Sequence, residues 1–427
     1  MEKTIRTGVY AQPQKNQLSF RKCSSIMNLF LLTITIRLTI AYCMSAPNND
    51  INNYINMVQA HRMGKWPYEF HAIYPYVPFS IPMPVFAMWL SDMLHIPFYL
   101  TIKIYGILGD AFVTYFLLKL KVSERSVLLG WVLNPLSIWI TSMHGNILSC
   151  TLPFVMGGWY ILTKIKGMKW ECLEAQTKFV FAFLLFGIAI AIRYWPALLI
   201  PVFLIYLKLK PREYMTAFMC LGLPSLISFV PLVADPNAPW DIIKTEVFGY
   251  RSTPDLSWLG MLRAAWYSYD KNIWLPGTMT ETGMSIGMYL FCASWITFLA
   301  WIPFAYKKEY SMVKIVCIPL LLYFLFAGGV AAQYLVLIVP LLLTWSLQYA
   351  IVYSVIAWIA IGLFYIAWHP EIFWGAWSAP LIQPITNLQA AIDQHILMQS
   401  QVLALFALLC YTSFLLYQGL RRGERNV

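Results

Sequence analysis

Apolar stretches of about twenty residues recur along most of this 427-residue chain, and few charges interrupt them. A helix needs about 20 residues to cross the hydrocarbon of a bilayer, and an unpaired backbone polar group is costly there. The runs cover residues 27–44, 97–118, 126–143, 147–163, 179–207, 213–234, 283–305, 315–330, 333–347, 350–368 and 400–417. An all-α fold, a polytopic bundle of transmembrane helices, is therefore expected. With 59% hydrophobic and 11% charged residues, the chain cannot belong to a water-soluble class.

The net charge of +11 is topological rather than a nucleic-acid signature. Basic residues fall in short clusters between apolar runs: Lys3 to Lys22, Lys119 to Arg125, Lys164 to Lys178, Lys208 to Arg212, Lys307 to Lys314, and Arg421 to Arg425. If these face the cytoplasm, 21 of the 30 Lys and Arg lie inside, 6 lie outside, and Arg37, Lys103 and Arg193 lie within membrane segments. The first helix then has its N-terminal side in the cytoplasm, and no A-x-A-like site follows it, so it reads as uncleaved.

Parity refines this map. Residues 179–207 start and end beside basic clusters, so they must turn near Arg193-Tyr194-Trp195-Pro196, where proline breaks a helix. Residues 76–95, rich in proline, read as a juxtamembrane or re-entrant element. About twelve crossings result. Residues 1–25 form a cytoplasmic segment, 26–418 one integral membrane domain with outer loops 45–96 and 235–282, and 419–427 a cytoplasmic tail.

On this map Asp50, His144, Asn146, Arg193, Arg251 and Gln333 gather at the outer interface, although they come from distant parts of the chain. Asp50 is the best candidate for chemistry in a chain so poor in acids, with a solvated loop carboxylate as its bland reading. His144 and Asn146 equally suit a helix end in which Gly145 takes the left-handed position. Arg193 suits a snorkelling side chain, or one that grips a phosphate while its stem lies among apolar groups. Lys103 and Asp110 are two turns apart on one helix face, too far to pair with each other. Each needs a partner elsewhere, as in a structural polar cluster.

Several chemistries have no motif here: P-loop, HExxH, GxSxG and dinucleotide fingerprints are absent. Eight cysteines show neither CxxC nor Cys/His ligand spacing and read as packing residues. Asp50 is followed by Asn52 rather than a second acid. Hard cations recruit several oxygens, so no metal or other cofactor is expected at this site.

The stretches Asp50 to Tyr54, Gly64-Lys65-Trp66-Pro67-Tyr68 and Tyr74-Pro75-Tyr76-Val77-Pro78 resemble the first outer loop of the C-superfamily (GT-C) membrane glycosyltransferases, especially mannosyltransferases like the first of GPI-anchor synthesis. Gly109-Asp110, Asn134-Pro135-Leu136, Ser142 to Asn146, Arg193 to Pro196, Ala332-Gln333-Tyr334 and Val339-Pro340-Leu341 continue the likeness in order, over residues 26–345. The resemblance implies inverting transfer of a hexose, such as mannose, from a polyprenyl-phosphate donor to a lipid, glycan or protein acceptor on the outer face. Asp50 would be the general base and Arg193 the phosphate ligand. His144, Asn146, Arg251 and Gln333 would bind substrate, and Tyr68, Tyr74, Trp66 and Trp258 would stack on sugars or form an interfacial belt. Departures are Asn52 in place of a second acid, His144 in place of an arginine, and Leu148 in place of a further acid. A transporter or lipid flippase is the alternative, and a non-catalytic subunit a third. Membrane lipids are the expected partners and nucleic acid is not. A bacterial plasma membrane is the favoured location, with the endoplasmic reticulum as the eukaryotic counterpart.

Overall fold

A computed structural model describes residues 14–43, 49–69, 76–165, 172–207, 209–248, 256–269, 277–307, 312–368 and 394–421. These residues are overwhelmingly helical and contain no strand. Seven helices are long and apolar enough to cross a membrane: Ser24–Cys43, Phe98–Lys119, Leu173–Ile192, Pro211–Ala234, Thr278–Ala305, Leu347–Ile366 and Ile396–Leu420. The pair Glu124–Val132 and Pro135–His144, bent by 47°, adds an eighth if it forms one span. Shorter apolar helices cover Trp195–Ile205, Met312–Phe326 and Ala332–Trp345. The chain is built as a polytopic integral membrane protein.

Both segments whose parity demanded special treatment are broken or short. The helix Leu173–Ile192 stops at Arg193, which is fully extended (φ −157°, ψ 135°), and the 3-10 turn Trp195–Leu198 precedes the short helix Ile200–Leu207. Pro196 has no N–H to continue the helix. Residues 82–94 form a helix of only 13 residues, Pro82–Leu94, too short to span.

Two apolar clusters organise the packing. The larger fills the bundle, where Leu173–Ile192 packs against both Leu152–Ile165 and Pro211–Ala234. Gly187 makes the second contact possible, since a Cβ there would lie 2.5 Å from the Cys220 carbonyl oxygen. The smaller cluster sits under the segment after the first span. The helix Asn49–Arg62 turns Ile51, Tyr54, Met57 and Val58 inward at helical spacing, against Tyr68, Tyr76 and Ile147.

The buried charges find partners across helices. Arg37, from the first span, donates through Nε to Asp110 Oδ2, through Nη1 to the Val132 carbonyl (2.8 Å), and through Nη2 to the Trp131 carbonyl (3.0 Å) and Ser137 Oγ (2.7 Å). Thr141 Oγ1 donates to the same carboxylate oxygen (3.0 Å). This knot ties the first span and Lys103–Lys119 to the bent pair, where π-helical turns leave carbonyls to be satisfied. Asp110→Ala should cost about 3–5 kcal/mol by leaving Arg37 buried without its counter-ion. Denaturant unfolding in detergent checks this, and joint replacement of both residues by apolar ones should cost much less.

Candidate active site

Asp50 occupies the first turn of the helix Asn49–Arg62, where the N-terminal end of the helix dipole favours a negative charge. Two groups from one distant turn hold it. Trp139–His144 ends at Gly145 in the left-handed region (φ 75°), and Asn146 opens the 3-10 turn Ile147–Thr151. Asn146 Oδ1 accepts from the Leu148 backbone N–H (2.8 Å), which fixes the amide so that Nδ2 points away and donates to Asp50 Oδ2 (2.6 Å). His144 Nε2 meets the same oxygen at 2.7 Å. The helix-end reading of His144-Gly145-Asn146 is thus correct, and the cap is what aims the amide at Asp50.

The other carboxylate oxygen, Oδ1, has no hydrogen-bond partner among the described residues, and the Asp50 side chain is 30% exposed. Burial pushes its pKa up, but the hydrogen bonds from His144 and the Asn146 amide, together with the Arg193 charge, outweigh it. The carboxyl is held below the usual value. It is therefore ionised across the neutral range.

Beneath the turn, Lys103 runs under Gly145. Its Nζ donates to the Met143 carbonyl (2.9 Å), and a Cβ on residue 145 would fall 2.8 Å from its Cε. Behind His144, the Tyr365 hydroxyl lies 2.7 Å from Nδ1, and the Tyr365 ring stacks on Trp139 (centroids 6.0 Å apart, 10° between planes).

Arg193 forms the second pole. The break after Ile192 lays its guanidinium over the Tyr76 ring (4.3 Å), with Tyr194 and Tyr334 farther out at 5.4 and 5.9 Å. Nη2 donates to the Tyr334 hydroxyl (2.9 Å). The Tyr76 and Tyr54 hydroxyls are hydrogen-bonded at 2.9 Å, and Tyr54 lies one helical turn beyond Asp50, so the two poles share one wall. Burial raises the Tyr76 phenol to about 12, opposed by the Arg193 charge.

Other sequence candidates behave differently. Tyr68 is buried and donates to the Tyr76 carbonyl (2.8 Å), so it supports the wall and has no ring face free to stack on a sugar. Trp66 is pinned through Nε1 to Asp235 (2.7 Å). Gln333 is half-buried in the 3-10 turn Ala332–Ile338, and its neighbour Tyr334 is the residue that reaches Arg193. Tyr74 and Arg251 lie outside the described residues. Sequence reasoning missed the roles of Tyr54, Tyr76, Tyr334 and Tyr365. Tyr54, Tyr76 and Tyr334 carried a hint, through their place in the motif segments; Tyr365 carried none. Among the described residues no three His, Cys, Asp or Glu side chains gather as a metal-binding set.

No protein-family model matches the sequence, and no curated protein matches it. Among solved structures, the chain is similar to ArnT from Cupriavidus metallidurans, bound to undecaprenyl phosphate. The TM-score is 0.47 at 13% identity, covering 92% of this chain and 76% of that one.

Proposed function

We propose that this chain is a membrane glycosyltransferase that moves a hexosyl group from a polyprenyl-phosphate donor to an acceptor hydroxyl at the outer face of the membrane, with inversion. The observation that carries the reading is the oriented Asp50 carboxylate. One oxygen is held by Asn146 and His144, the other has no hydrogen-bond partner among the described residues, and the Arg193 charge acts on the carboxyl.

In the reaction, Asp50 Oδ1 takes the proton of the acceptor hydroxyl as its oxygen bonds to the anomeric carbon. The bond from that carbon to the phosphate oxygen breaks on the opposite face. The phosphate diester, with one negative charge, leaves as a monoester carrying a second. Arg193 would meet that added charge, and a pre-set guanidinium is worth most where charge develops. A single carboxylate already covered on one oxygen by nitrogen donors is a poor ligand set for a hard cation, so the reaction is proposed to need no metal.

A groove of about 760 Å³ lies between Trp66, Pro78 and Met83 on one side and Ile227 and Pro231 of the helix Pro211–Ala234 on the other. Its lining is mostly apolar, with His61, Lys65, Ser228 and Asp235 as the polar exceptions, and suits a prenyl tail. The transporter reading finds less support, because the buried charges it would use, Lys103 and Asp110, are engaged with the Met143 carbonyl and with Arg37.

The test supplies the purified chain in liposomes with labelled polyprenyl-phosphate hexoses and a lipid extract as acceptor, with and without a chelator. Transfer of label, unaffected by the chelator, supports the reading. Vectorial movement of label without a new glycosidic bond would replace it with transport. Arg193→Ala should raise the KM for donor about tenfold or more, the loss expected for a charge-assisted contact of about 1.5–3 kcal/mol. An unchanged donor dependence would remove Arg193 from the phosphate role.

A further inference from the structure

Behind the carboxylate lies a buried polar chain that the proposed transfer does not by itself require. Tyr365, near the end of the helix Leu347–Trp368, is 2% exposed, and its hydroxyl lies 2.7 Å from Nδ1 of His144. His144 Nε2 lies 2.7 Å from Asp50 Oδ2. Carboxylate, imidazole and phenol therefore form one line, drawn from three segments separated by 94 and 221 residues.

A neutral imidazole has one donor and one acceptor nitrogen. Were the hydrogen on Nδ1, the bare lone pair of Nε2 would face a carboxylate oxygen at 2.7 Å, which is repulsive. With the hydrogen on Nε2, that nitrogen donates to Asp50 and Nδ1 is left to accept from the phenol, so both contacts are satisfied. A charged imidazolium is the remaining arrangement. It would turn Nδ1 into a donor, so the phenol would lose it as an acceptor.

We propose that Tyr365 is a positioning residue for the transfer reaction: its hydroxyl donates to Nδ1 of His144 and holds the imidazole in the Nε2–H tautomer, so that His144 grips Asp50 Oδ2 and leaves Oδ1 for the acceptor. This rests on the reading of Asp50 as the base. Trp139, stacked on the Tyr365 ring and itself edge-on to Trp358 (6.4 Å, 67°), sets the angle of the phenol. A second contact on a catalytic imidazole commonly decides which nitrogen carries the hydrogen.

The test reads the tautomer directly. The chain is labelled with ¹⁵N-histidine in lipid nanodiscs, and His144 is assigned among the six histidines by its loss in His144→Gln. The wild-type spectrum should show Nε2 protonated and Nδ1 bare but hydrogen-bonded. Tyr365→Phe should remove the Nδ1 hydrogen-bond shift and give a mixture of tautomers. With a labelled polyprenyl-phosphate hexose as donor, its kcat should fall about 10- to 100-fold with the donor KM unchanged, the cost of a slightly misplaced catalytic group. A wild-type ring protonated on both nitrogens, or on Nδ1, overturns the proposal, and that result stands even if Tyr365→Phe fails to fold. An unchanged tautomer and kcat in a folded Tyr365→Phe protein also overturns it. Asp50→Asn, assayed in parallel, separates the two levels: full activity there defeats the base reading, whereas an inactive Asp50→Asn beside an unaffected Tyr365→Phe defeats only the positioning role.

Discussion

Asp50→Asn should lower the rate of sugar transfer by about 10²–10⁴-fold, the usual contribution of a positioned general base. The replacement is nearly isosteric, and its amide oxygen can still accept from His144 and Asn146, so the turn and the helix Asn49–Arg62 should stay in place. Donor binding should change little, because Arg193 and its tyrosine wall are untouched. The contrast between turnover and binding is the informative part. It is read by single-turnover transfer in liposomes alongside binding of the labelled donor. Turnover near the parent rate would take the base role away from Asp50.

Gly145→Ala should be nearly as damaging, for a mechanical reason. Residue 145 is left-handed, which costs a non-glycine residue roughly 1–2 kcal/mol. The new Cβ would also sit 2.8 Å from Cε and 3.0 Å from Cγ of Lys103. Lys103 cannot swing aside freely, since it is buried and tied to the Met143 carbonyl. The turn must move instead, and it carries both donors to Asp50. We expect kcat to fall about 100-fold, as for a displacement of about 1 Å at a reacting centre, with the protein still monodisperse in detergent. Full activity in Gly145→Ala would mean that the turn tolerates far more freedom than its contacts imply.

Much of this arrangement is legible in the sequence, and the reason differs from element to element. The spans follow from the length of the apolar runs, because lipid leaves the backbone few alternatives. The break at Arg193 follows from Pro196 together with the parity of the flanking charges. His144 and Asn146 stand out because polar residues at the end of an apolar run need a purpose. The partners are harder to read. Arg37 and Asp110 each imply a counter-charge, but which helices are neighbours is a tertiary fact, so their pairing is not visible along the chain. Tyr365 is harder still: an isolated tyrosine near the end of an apolar span reads as an interfacial anchor, and only folding brings it to an imidazole 221 residues away. Tyr68 shows the converse difficulty: an aromatic beside a motif invites a binding role, and the fold buries its ring with its hydroxyl on the Tyr76 carbonyl.

The distance along the chain between Asp50 and Tyr365 also has a consequence for biosynthesis. A membrane protein is made and inserted from its N-terminal end, at about 5–20 residues per second. Asp50 and His144 emerge early and can meet while much of the bundle is still unmade. The Leu347–Trp368 helix follows only after some two hundred further residues have been threaded. The nascent protein therefore carries the carboxylate and the imidazole for many seconds before the phenol arrives, and the arrival of that one late helix marks the moment at which the assembled chain differs chemically from its own precursor.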